Sequence, residues 1–199
     1  MTDAQSFQYA RRFDVKTIKV EEIMVPLGEY VQLDESRTLY DAIMALRKLQ
    51  KEKKENIHTS VLIVTQEGNI ANMLTILDIF RIMEPKYKDV EDIDLSRFGM
   101  QPGYVESMLE SFDLWANPLE DVCRKTSQVV LKDIEWELIP RDVIDAEATL
   151  DLAVHRMIVN NKHSLLVKKG DTFVGVLRSF DIFDTFCKAI EQCDIPQGK

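Results

Sequence analysis

The sequence predicts an α+β chain built from two tandem strand–helix–strand–strand–helix repeats, and three observations carry that prediction. The first is a long-range repeat. LIVTQEGNIANMLTILDIF (62–80) returns as LLVKKGDTFVGVLRSFDIF (165–183), with Leu62, Val64, Leu74, Asp78, Ile79 and Phe80 recurring as Leu165, Val167, Leu177, Asp181, Ile182 and Phe183 at a constant spacing of 103 residues. The second is an upstream block in the same order. LDESRTLYDAI (33–43) returns as IDAEATLDLAV (144–154), with Asp34, Thr38, Leu39 and Ala42 matched by Asp145, Thr149, Leu150 and Ala153 at a spacing of 111. The third is periodicity, because β-rich runs alternate with stretches of helical spacing inside each block.

Taken in order, EYVQL reads as a short strand. Thr38 then has the character of a helix N-cap, opening TLYDAIMALRKLQ with apolar residues at 39, 42, 43 and 46. SVLIV is a continuous apolar strand of the kind buried on both faces. QEGN and its counterpart KKGD are turns. IANMLT is the next strand, and ILDIFRIM begins a second helix. The second repeat follows with IDAEATL, LDLAVHRMIVNN, SLLV, TFVGVL and FDIFDTFCKAIEQC. The two spacings differ by eight residues, and these are assigned to KEKKEN (51–56), a solvated helix end and loop. Residues 84–121 carry the turn signals MQPG and ANPL around YVESMLESFDLW, a helical connection. VEEIM (20–24) and LEDVC (119–123) are read as matching lead-in helices. That pairing leaves SQVVLKDIEWELIP (127–140) as an insertion whose alternation suggests an added strand.

With 199 residues and 45% hydrophobic content, the chain is long enough to fold without staples. Its net charge of −9 lacks the basic footprint that nucleic acid or an anionic membrane requires, so neither is an expected partner. Any phosphate must be held locally, by a few basic side chains or a helix N-terminus. No apolar run approaches the roughly 20 residues that span a bilayer. MTDAQSFQYARRFD has no apolar stretch behind its charges, so no secretory signal is expected. Cys123, Cys187 and Cys193 are odd in number and widely spaced, which favours reduced thiols and a cytoplasmic location.

The doubled pattern resembles the cystathionine-β-synthase (CBS) domain family, whose members occur as tandem pairs. VEEIMVP leading into the first repeat, T-L-x-x-A opening each first helix, and a strand ending in T-x-x-D before the last helix carry the resemblance, over roughly residues 18–187. The last motif is intact in the first repeat as Thr75-Ile76-Leu77-Asp78. In the second it departs, with Arg178-Ser179-Phe180-Asp181 placing arginine at the threonine position. On this reading residues 1–17 are an N-terminal extension, 18–84 the first CBS repeat, 85–118 a helical linker, 119–187 the second repeat and 188–199 a tail.

The resemblance implies two repeats packed about a pseudo-twofold axis, with clefts that bind an adenosine compound: AMP, ADP, ATP or S-adenosylmethionine. It implies Asp78 and Asp181 on the ribose diol, Thr75 and Arg178 near phosphate, and a further phosphate contact from Lys162 and His163 ahead of strand SLLV. It also implies a homodimer formed through the apolar helices, regulating an unidentified protein.

The chemistry has its own logic. A carboxylate offers two acceptor oxygens to the two adjacent hydroxyl donors of a ribose. An acid in the first helical turn is favoured by the helix dipole, and the free N–H groups beside it suit phosphate. Arg178 adds a planar fork. Two alternatives stand beside this. Thr75 and Asp78 also have the spacing of a capping box, which needs no ligand, and Asn72 at the place of Gly175 makes the first site the more doubtful if the backbone must approach closely there. No catalytic cofactor or enzymatic activity is expected, because G-x-S-x-G, P-loop, G-x-G-x-x-G and H-E-x-x-H patterns are all missing from the sequence. Nor do three scattered histidines and three cysteines form a metal-ligand pattern. The remaining alternative is a ligand-free CBS scaffold that dimerises or docks on a partner enzyme or transporter.

Overall fold

The computed structural model describes residues 14–52, 60–87, 107, 115, 119–134 and 140–191. The described residues fall into two compact units, one of which is assembled from both ends of the chain. One joins the residues up to Tyr30 to those from Pro140 onward; the other runs from Val31 to Ile134.

The unit from Val31 to Ile134 carries a three-stranded sheet. β2 (Gln32–Asp34) lies parallel to β3 (Ser60–Val64), which pairs antiparallel with β4 (Ile70–Thr75). Helix α1 (Leu39–Glu52) links β2 to β3, and α2 (Ile76–Met83) follows β4 directly. Val61, Leu62 and Ile63 on β3 are fully buried, as expected for an unbroken apolar strand. Thr38 caps α1 as read from sequence: its hydroxyl accepts from the Asp41 N–H, and its own N–H donates to the Asp41 carboxylate. A further helix, α3 (Leu119–Gln128), packs against α1 and α2.

The other unit repeats the plan with one strand more. Its sheet runs β1–β7–β6–β5, where β1 is Val25–Pro26, β5 Val143–Asp145, β6 Ser164–Lys169 and β7 Thr172–Arg178. Helix α4 (Leu150–Val159) links β5 to β6, and α5 (Ser179–Glu191) follows β7. Leu165, Leu166 and Val167 are fully buried, as their first-repeat counterparts are. Asp34 and Asp145, matched in the sequence, build the same turn: each carboxylate accepts an N–H two residues on, from Ser36 and Glu147 respectively, at 2.8 Å.

The short segments ahead of each repeat are exchanged. Val20, in the 3-10 turn Val20–Glu22, donates to the Ala148 carbonyl and Glu21 to that of Ala146. At a spacing of 111 the 3-10 turn Leu131–Asp133 does the same for the first repeat: Leu131 donates to the Arg37 carbonyl and Lys132 to that of Glu35. Val20 and Leu131 are each fully buried in the core of the other repeat's unit.

This corrects two expectations. The counterpart of Val20–Glu22 is Leu131–Asp133, not LEDVC, which lies within the ten-residue helix α3. The proposed strand within 127–140 is not found among its described residues. Val129 and Val130 lead into the 3-10 turn, with an isolated bridge from Val130 to Thr38, because the alternation there serves to bury Leu131. Residues 135–139 lie outside the described residues. So does most of YVESMLESFDLW, and so do Cys193 and the greater part of KEKKEN. What is described of that run extends α1 to Glu52, four residues beyond the point matching the end of α4.

Candidate functional site

The two strand–helix junctions carry the candidate residues. Each arises because a buried strand delivers its last residue to a helix whose first-turn N–H groups still need acceptors. At the first junction Thr75 closes β4 in extended backbone and is the N-cap of α2. Its hydroxyl accepts from the Asp78 N–H at 3.3 Å and donates to Asp78 Oδ2 at 2.6 Å, while the Thr75 N–H donates to the same oxygen at 2.9 Å. Asp78 Oδ1 accepts from Arg81 at 3.1 Å. The Asp78 side chain is 30% exposed and that of Arg81 48%, so this pair lies in solvent and is weak. The capping-box geometry is therefore built, as it also is at Thr38 and Asp41.

At the second junction Arg178 closes β7, and arginine changes the wiring. Its Nε donates to Asp181 Oδ2 at 2.6 Å, and a terminal nitrogen donates to Asp181 Oδ1, so the fork takes both carboxylate oxygens. The Arg178 side chain is 7% exposed and that of Asp181 15%. The bond to Asp181 raises the guanidinium above its already high range against the opposing effect of burial, with smaller support from the Asp181 and Glu29 carboxylates.

Lys162 and His163 sit where β6 begins, beside this junction. Ser164 pairs with Arg178 in the ladder, and the His163 carbonyl accepts from the Ser179 N–H at 2.9 Å. The His163 side chain is exposed. Lys162 is engaged by Asp142 at 2.6 Å. The structure thus gathers Arg178, Asp181, His163 and Lys162 along one end of β6 and β7, and Thr75 with Asp78 at the equivalent place in the other unit. Three partners escaped the sequence reading: Arg81, Asp142 and Glu29. Only the first had a legible signal, the three-residue helical spacing from Asp78.

Gly175 has a role that needs no ligand. It pairs with Pro26 across β1 and β7, and a Cβ there would stand 2.7 Å from the Val25 carbonyl oxygen and 2.7 Å from Met24 Sδ. Its absence at Asn72 therefore reflects the strand that lies on β7, and says nothing against the first junction as a binding site.

Among the described residues no group of three or more His, Cys, Asp or Glu side chains is placed to hold a metal, and no helix is long and apolar enough to cross a membrane.

No family model and no curated protein matches the sequence. Solved structures match it over most of its length. The CBS domain of a CBS-domain-containing membrane protein from Sphaerobacter thermophilus is 16% identical, with a TM-score of 0.53 over 91% of this chain and 94% of that one. CBSX2, solved in complex with AMP, is 13% identical, with a TM-score of 0.55 over 85% of this chain and 96% of its own. The CBS domain of a bacterial CNNM/CorC-family Mg2+ transporter, solved in complex with ATP, is 12% identical, with a TM-score of 0.52 over 96% of each chain. The fold of the chain is that of a tandem CBS-domain protein, α+β.

Proposed function

We propose that this chain is a non-catalytic regulatory module that binds an adenine nucleotide of the AMP, ADP or ATP class at a strand–helix junction. The observation that carries the reading is Asp78: a carboxylate in the first turn of α2, oriented by the Thr75 N–H and hydroxyl, with its outer edge open to solvent. That edge suits a ribose diol, and the first turn of the helix beside it favours phosphate. Two proteins of the same fold, one solved with AMP and one with ATP, support the choice of ligand.

A thermal-shift panel tests this. A ligand that binds only the folded chain, at about 100 times its Kd, stabilises by roughly 2.7 kcal/mol. For a chain of this length that raises Tm by about 5–10 °C. AMP, ADP or ATP should give such a shift, well above that of GTP. Millimolar adenine nucleotides that leave the melt unmoved would favour the second reading, a ligand-free scaffold docking on an enzyme or transporter. One observation speaks for that reading: Thr38 and Asp41 build the same box as Thr75 and Asp78 at a helix to which no ligand is assigned.

Either reading includes a closed twofold dimer. Leu77 and Phe80 on α2 and their counterparts Phe180 and Phe183 on α5 are large apolar side chains left exposed at matching positions. Light scattering at micromolar concentration should give twice the 23.0 kDa chain mass. A monomer would remove the dimer from both readings.

A further inference from the structure

We infer that the chain takes nucleotide at the Thr75–Asp78 junction alone, and that Arg178 closes the other junction by occupying Asp181 itself. The identity of the ligand rests on the reading above; the closure rests on the Arg178–Asp181 geometry and is independent of it.

The two junctions share their backbone plan and differ at the residue that ends the strand. At the first, that residue is short. Asp78 Oδ2 is held by its own cap, and Oδ1 faces Arg81, a half-exposed side chain on a surface pair. Two ribose hydroxyls can replace Arg81 there, and the displaced guanidinium returns to water, so no charge is stranded.

At the second junction, Arg178 presents two parallel donors to the two oxygens of Asp181, and both side chains are shielded from solvent. A diol reaching Asp181 must first push the guanidinium off its partner, inside the protein, where the remaining negative charge nearby is that of Glu29. A phosphate reaching Arg178 meets the Asp181 carboxylate already in place, and like charges then share the site. Breaking one side of such a pair is strongly unfavourable because the other charge is left unsatisfied. Arg178 therefore stands in for the donors a ligand would bring, and the junction is complete without one.

Calorimetric titration of AMP and ATP into the full chain decides this. The wild type should take one nucleotide per chain. Asp78→Asn should weaken binding about tenfold or more, and Asp181→Asn should change it by less than about twofold. Arg178→Thr, which restores T-x-x-D in the second repeat, should admit a second nucleotide. Two equivalents on the wild type, or binding that is lost in Asp181→Asn and kept in Asp78→Asn, would overturn the assignment. The wild-type stoichiometry needs no variant to fold.

The closure has a test without nucleotide: thermal melts of Arg178→Gln, Asp181→Asn and the double variant. Strong non-additivity shows the pair is formed; additive losses overturn it. Absence of nucleotide binding in the wild type and in Arg178→Thr, combined with strong non-additivity, would sink the ligand reading and leave the closed junction standing.

Discussion

The amide of Leu131 donates to the carbonyl of Arg37 at 2.8 Å, joining the lead-in of the second repeat to the first repeat's own turn. Val20 and Ala148 form the mirror bond at 2.9 Å. Each repeat is thus completed by the segment that precedes the other, and each unit needs residues from both halves of the chain.

Leu131 should therefore behave as a core residue of the first repeat. It is fully buried among Leu39, Val61, Ile63 and Leu74. Leu131→Ala should cost about 2–5 kcal/mol through lost burial and an unfilled cavity. Chemical denaturation monitored by hydrogen exchange checks the location as well as the size: protection should fall first in β2–β4 and α1. A loss of protection confined to β5–β7 would contradict the exchange.

The glycine at position 175 makes the second test. Any side chain there meets the Val25 carbonyl, which is backbone and cannot swing aside. Gly175→Ala should destabilise by about 1–3 kcal/mol, or roughly 2–12 °C in Tm at about 2–4 °C per kcal/mol for a chain of this size. Asn72→Ala, at the matched position on β4, should shift the melt by far less. Equal shifts would mean the close approach of β1 is not what selects glycine.

Much of this fold was legible because repetition is a strong signal. The strand runs SVLIV and SLLV, the turns at Gly68 and Gly170 with positive φ, and the Thr38 cap all followed from local pattern. The exchange did not follow, because a three-residue 3-10 turn has no periodicity and its partners lie over 90 residues away. Leu131 looked like one member of an alternating strand for the same reason. At the site, the sequence marked the place where the repeats disagree. It could not say that Arg178 would turn inward onto Asp181, since a ligand phosphate and a neighbouring carboxylate attract the same fork.

Acid should weaken the fold in a defined window. Hydrogen bonds from the Ser36 hydroxyl, and then its N–H, hold the Asp34 carboxyl below its usual range, and the Glu67 and Asp151 carboxyls are lowered as well. A carboxyl whose pKa is lower folded than unfolded adds stability above the unfolded value, near 4, and that stability is lost as pH falls through the folded value. Tm should therefore be flat above about pH 5 and decline below about pH 4. Ser36→Ala should make the decline shallower, and an unchanged slope would show that this turn does not contribute.

The last prediction concerns the diol. If Asp78 binds a ribose, both of its acceptor positions toward the ligand are used, and the 2′-deoxy nucleotide leaves one without its donor. An acceptor that the bound ligand covers and leaves without its donor costs about 1–3 kcal/mol, or roughly five- to hundred-fold in affinity. The wild type should therefore prefer AMP over 2′-deoxy-AMP by that factor. Asp78→Ala should bind both weakly and nearly alike, because the group that distinguished them is gone. The same comparison in Asp181→Ala should reproduce the wild-type preference, since Asp181 is held by Arg178 and faces no ligand. A wild type that binds the two nucleotides equally would reduce Asp78 to an acid that caps its own helix, and the nucleotide, if bound, would have to be recognised elsewhere.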